Sequence, residues 1–184
     1  MRLFLYFCGW LALLGLHSQC GTPDPRSQYQ PLADFHTPDD AELFFKNVRQ
    51  IYYDREEPPN THITLYRLKK RVKTADTPLI NLAIAHNWRF DEAYLVVEPN
   101  ALAFATGDSL YIDWASPVDS GQYVFAKRSN HHQHKAFALS LYQSIKAQHT
   151  LRCQASPLLH TTPQQEALRL TIEDYLRLLG KEIE

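Results

Sequence analysis

Cysteine, glycine and methionine are all scarce in this chain of 184 residues, at three, six and one. Two of the cysteines, Cys8 and Cys20, fall in the first twenty residues, which leaves Cys153 alone beyond them. A lone thiol cannot close a disulfide within its own domain, so the later residues must be held together by a packed core, as chains of this length can be. Excess charge is missing too. Nineteen lysines and arginines face twenty acids, for a net charge of -1, which removes the broad positive field that nucleic-acid-binding proteins use on phosphates. No nucleic-acid partner is expected. The spacings of familiar catalytic motifs are also absent: no G-x-S-x-G, P-loop, H-E-x-x-H or G-x-G-x-x-G occurs. No catalytic set, cofactor or metal is therefore assigned. The one long apolar run, residues 3–16, is shorter than the ~20 residues that a membrane-spanning helix needs.

That run does have a reading. Arg2 precedes it and His17-Ser18-Gln19-Cys20-Gly21 follows, and a cationic start before a short apolar stretch is the pattern of a secretory signal peptide. Cys20 stands where bacterial lipoprotein leaders place the cysteine that becomes the lipidated N-terminus, and residues 1–20 resemble that class. The resemblance implies lipidation at Cys20 and a place in the bacterial cell envelope, membrane-anchored or periplasmic. His17 and Gln19 stand where the class has an aliphatic and a small residue, so cleavage after Ser18 and retention of the leader as an anchor remain open alternatives. Residues 21–36 are polar and proline-bearing without apolar period, which suits a flexible tether. Residues 37–184 are then a single domain.

Within that domain, Thr37-Pro38-Asp39-Asp40 predicts a helix start, with Thr37 as cap and the acids at the positive end of the dipole. Ala41, Phe44, Val48 and Ile51, widened by Phe45 and Tyr52, make an apolar stripe that predicts packing against a core, ended by Pro58-Pro59-Asn60. From His62 the pattern becomes short runs rich in branched and aromatic residues, the mark of successive antiparallel strands. These cover 63–68, 80–86, 92–98, 101–105 with 109–114, and 122–127. The second and third should form a hairpin through Asn87-Trp88-Arg89-Phe90-Asp91. A second helix is expected over 130–148, with Asn130 and Gln133 at capping-box spacing. A short strand at 150–154 and a third helix from Thr162, stopped by Gly180, complete the domain. The order of elements predicts an α+β fold, with a single antiparallel sheet of about five strands and three helices packed mainly on one face.

Few residues stand out chemically. His131 and His134 share a helix face and His132 does not, so this run offers two metal ligands and lacks the remainder of a site. Trp88, Arg89 and Phe90 at the hairpin turn have the composition of an interface anchor and are the candidate partner-binding residues; the alternative is that the aromatics plug one end of the sheet. Arg67, Lys69, Lys70, Arg71 and Lys73 form the basic run, suited either to an anionic membrane surface or to a charged sheet edge. Asp113 lies between Ile112 and Trp114 on a strand, and Cys153 reads as a buried strand residue. The leader, the tether and the missing catalytic motifs together predict an exported, lipid-anchored envelope protein with a non-enzymatic binding or assembly role. Its partner would be another envelope protein or a surface component, and the lipid anchor would join it to the membrane. A small hydrolase using His86, Asp113 and His131 is the alternative, and a metal-binding envelope protein is the third reading.

Overall fold

A computed structural model of the protein describes residues 32–105 and 107–182. The leader, Cys20 and the tether up to residue 31 lie outside the described residues. Helix α1, Asp39–Phe44, continues through a π-helical turn at Phe45–Arg49 and a 3-10 turn at Gln50–Tyr52. Strands β1 (Tyr53–Glu56), β2 (Ile63–Leu68), β3 (Ile80–Asn87) and β4 (Glu92–Pro99) follow. Next come β5 (Ser109–Ala115), β6 (Ser120–Ala126), α2 (His131–Lys146), β7 (Thr150–Cys153), β8 (Ser156–Leu158) and α3 (Thr162–Leu178).

Among the described residues the fold is α+β with three helices, but it holds two sheets where the sequence suggested one. Both are antiparallel and four-stranded, in the orders β1-β2-β3-β4 and β6-β5-β7-β8. The break lies at Asn100. Its side chain accepts from the Leu79 and Ala103 amides and donates to the Thr77 carbonyl, and Ala101–Phe104 forms a 3-10 turn instead of the expected strand. The chain leaving β4 therefore does not return along it, and β5 starts a new sheet with β6. One core still joins the two: Ile84 and Leu95 from the first sheet, Leu110 and Ile112 from the second, and Leu141 and Ile172 from the helices belong to one buried cluster. Gly121 on β6 lies under the Trp114 indole, where an added Cβ would come within 2.8 Å of the ring.

The first sheet is covered on both faces. Thr64, Tyr66 and Leu68 alternate inward along β2, while β3 and β4 are buried almost continuously, as strands covered on both sides are. The smaller cluster on the far face is built on Phe35, Ala85 and Tyr94. Domain packing thus begins before Thr37. Phe35 is completely buried, its carbonyl accepts from Ala93, and the Leu32 amide donates to Glu92. Burying such a ring contributes about 2 kcal/mol. Thr37 does not cap α1: Pro38 holds that position, the Thr37 amide donates to the Asp91 carbonyl, and its buried hydroxyl has no partner among the described residues.

Candidate binding surfaces

The apolar stripe of the first helical segment faces the wrong way for a core. Leu43 is 61% exposed and Ile51 60%, with Phe44, Val48 and Tyr52 close to half exposed. The inward side is instead Phe45, which packs on Tyr53 and Tyr66, and Arg49, which makes two hydrogen bonds of 2.8 and 2.9 Å to Asp174. A buried ion pair at one position and one ring at another fix the rotation of the segment. The remaining five apolar side chains are left on the solvent side. Beside Ile51 and Tyr52 runs a groove of about 350 Å³ floored by Leu68 and Leu170, and a second hollow of about 240 Å³ continues past Leu68 toward Pro163 and Ala167 on α3. Single exposed apolar residues are ordinary, but a contiguous stripe bordering an apolar groove is the composition of an interaction site.

Of the basic run, Lys69 and Lys70 line this groove, neither in a salt bridge among the described residues, while the other three cations are paired beside it. Arg67 is paired with Glu98 and Glu56, Arg71 and Lys73 share Asp54, and the Lys69 ammonium donates to the Ile51 carbonyl. Arg71 and Lys73 hold the Asp54 carboxyl below its usual range, both acting on it by hydrogen bond. Arg67 lies on β2, an interior strand paired with both β1 and β3, and the rest of the run is the loop that follows, so the run is not the charged sheet edge that the sequence suggested.

A further cleft, of about 370 Å³, opens between Lys46 of the π-helical turn, the end of β1 and strands β2 and β3. Thr64 and His86 are cross-strand partners at its base, Tyr66 lies two residues further along, and Trp88 stands at the mouth, 47% exposed. Lys46 and Arg55 reach its rim, each paired with a carboxylate, Glu42 and Glu57. His86 is 3% exposed, and its buried Nε2 has no hydrogen-bond partner among the described residues; Glu42 Oε1 is 3.7 Å away. Burial pushes the imidazole pKa down, and Glu42 offsets that only in part. An orphaned polar atom of this kind costs about 1 to 3 kcal/mol unless something occupies the gap. The sequence carries no mark for this site, because Glu42 and His86 meet only through the fold.

The residues singled out from the sequence do not converge. His86 faces the α1 side of the first sheet. His131 stacks on Tyr94 at 4.1 Å on the opposite face, and Asp113 on the second sheet accepts from Gln122. A hydrolytic site from those three is therefore not assembled. His134 Nδ1 accepts from the Val97 amide at the free edge of β4, and His132 lies edge-on to Phe35 at 4.8 Å, so each histidine of the run has a separate packing role. Arg89 Nη1 is 3.0 Å from His62 Nε2, and Trp88 lies edge-on to the same imidazole at 5.0 Å. Of the turn residues only Trp88 is exposed, Arg89 and Phe90 being half-buried. Cys153 is completely buried beside Ile112, and burial pushes its thiol up, away from the reactive thiolate. Ser144 bonds to His149 and Tyr123 but is itself fully buried, so this pair braces the second sheet.

No helix among the described residues is long and apolar enough to cross a membrane. Comparison with family models, with curated proteins and with solved structures returns no match.

Proposed function

We propose that this chain is an exported, lipid-anchored envelope protein that works by binding another envelope protein, and that the partner docks on the apolar face of α1. The observation that carries the reading is the outward stripe of Leu43, Phe44, Val48, Ile51 and Tyr52 beside the Leu68–Leu170 groove. A protein partner suits this surface better than a bilayer does. Adsorption to anionic lipid gains ~1 kcal/mol per free cation near the surface, and of the five cations here Arg67, Arg71 and Lys73 are already matched by Glu98, Glu56 and Asp54, which leaves only Lys69 and Lys70 at the groove. Anchoring at Cys20 rests on the leader and the tether, and mass spectrometry of the mature N-terminus tests it directly.

The docking reading is tested by a photo-crosslinker at Val48 in the full-length chain, followed by identification of what is captured in membranes. The expected result is one envelope protein, lost when Leu43→Asp and Ile51→Asp are combined, with unfolding stability unchanged to within about 0.5 kcal/mol because both positions are exposed. Capture of lipid alone, or of a second copy of the chain, would replace the reading. If the partner survives the double substitution but is lost with Trp88→Ala and Arg89→Ala, the interface is the hairpin turn instead.

A further inference from the structure

Each of the two sheets ends in an edge strand on either side, and all of these edges but one are closed by ordinary devices. β1 carries Asp54, Arg55 and Glu56, β8 is three residues long and includes Pro157, and at β4 the Val97 amide donates to His134 on α2. Charge, short length, proline and a covering helix are the means by which sheet edges are kept from pairing with other chains. β6 has none of them. Its seven residues, Ser120-Gly121-Gln122-Tyr123-Val124-Phe125-Ala126, hold no charge and no proline, and its register with β5 runs from Ser109↔Ala126 to Ala115↔Ser120 without a bulge.

The phase of that ladder tells which groups β6 leaves open. The Lys127 amide donates to the Asp108 carbonyl one step beyond the strands, and bonded pairs alternate with non-bonded ones along an antiparallel ladder. Gly121, Tyr123 and Phe125 therefore bond to β5, while the amides and carbonyls of Ser120, Gln122, Val124 and Ala126 point away from it. Two of these groups are met locally: the Ser120 amide donates to Asp119 Oδ1, and the Ala126 carbonyl accepts from the Ser129 hydroxyl. The others have no partner among the described residues, and all four residues are exposed, Val124 at 57%. A second β6 laid antiparallel about a two-fold axis at Tyr123 sets Gln122 opposite Val124 and Ser120 opposite Ala126. Each open amide then meets an open carbonyl, and the two groups already satisfied face one another. Moving the axis by one residue sets an open Val124 carbonyl or Gln122 amide against a group that is already bonded. The edge is complementary to itself in one register.

We propose that the chain forms a two-fold dimer in which β6 pairs with β6 of a second copy, joining their four-stranded sheets into one continuous sheet. The side chains agree with this. Neither strand carries a charge to repel the other, and on the outward face the exposed cross-strand pair Tyr111 and Val124 of each copy would meet its equivalent diagonally across the axis. The interface goes beyond the docking stripe, which lies on the first helical segment, and does not depend on it. Sedimentation velocity of the full-length chain over a range of concentrations provides the test, and a monomer–dimer equilibrium is expected. Val124→Lys, which places like charges near the axis, should raise the dissociation constant tenfold or more with an unchanged circular dichroism spectrum, since the side chain is exposed. The register is read by oxidative cross-linking. A mixture of Gln122→Cys and Val124→Cys chains should give more linked dimer than either alone or the unaltered chain, because opposite residues of a bonded pair have Cα atoms about 5.5 Å apart, within disulfide reach. Leu43→Asp with Ile51→Asp should leave the dimer intact, so failure of either surface is separable from failure of the other. A monomer at every concentration, a dimer that survives Val124→Lys or is lost with Leu43→Asp and Ile51→Asp, or no excess of cross-linking in the mixture would overturn the assignment.

Discussion

Asp174 has no solvent exposure and collects two hydrogen bonds from Arg49, one of 2.7 Å from the Tyr53 hydroxyl and one of 3.0 Å from Arg177. It fastens the end of the first helical segment to α3. Burial and the neighbouring carboxylate push the Tyr53 phenol upward, so the phenol stays a neutral donor, while the Asp174 bond holds Arg49 above its ordinary value. Removing one partner of such a group strands the others, at a cost of about 3 to 5 kcal/mol for a fully buried pair. Arg49 keeps 22% of its side-chain exposure, so the lower end applies. Asp174→Ala should destabilise the protein by about 3 kcal/mol in chemical denaturation, and a loss below about 1 kcal/mol would mean that water replaces the carboxylate. Nothing local marks this contact in the sequence, since Arg49 and Asp174 lie 125 positions apart. Cys153 was legible by contrast, because a lone cysteine in a strand pattern is usually a small buried hydrophobe.

Elements were legible where their ends carry their own chemistry. Asn130 and Gln133 form the capping box that their spacing announced, each side chain accepting from the other's backbone amide. Gly180 takes the left-handed conformation, φ +65°, just after α3. Asn130→Ala should cost about 1 kcal/mol, as loss of an N-cap does; thermal unfolding checks it, and an unchanged midpoint would show that water caps the helix equally well. The first helix was legible as a helix but not in its orientation. Phe44, Val48 and Ile51 have helical spacing, and spacing says that a face exists without saying which neighbour it meets. The inward direction was set by Phe45 and by an ion pair with α3. Residues 53–56 fall inside the expected helix yet pair with β2 from Tyr53↔Leu68 to Glu56↔Leu65. This pairing partner, not local propensity, makes them a strand.

At the scale of the whole molecule, α+β could be read from the order of elements, and the division into two sheets could not. That division depends on Asn100 bonding back to Leu79 and Thr77, a contact between segments that no periodicity contains. The same long-range assembly gives the domain a pH dependence. His86 and His134 are both held below the ordinary histidine value of 6.5, chiefly by burial, His134 also by the nearby His131. In the unfolded chain both imidazoles regain that value, so as the pH falls through it the unfolded state takes up protons first, and stability drops with acidification. Their contribution is complete above about pH 6.5 and is lost as the pH falls toward their lower folded values. His134 has a structural reason to stay neutral, because its Nδ1 accepts from the Val97 amide and a proton there would break the bond. We therefore expect the denaturation midpoint to be level between about pH 7 and 8 and to decline from about pH 6.5 to 5. His134→Gln, whose amide oxygen can still accept at the β4 edge, should flatten part of the decline while changing stability little at pH 7.5. A decline of unaltered steepness in that variant would assign the dependence to His86.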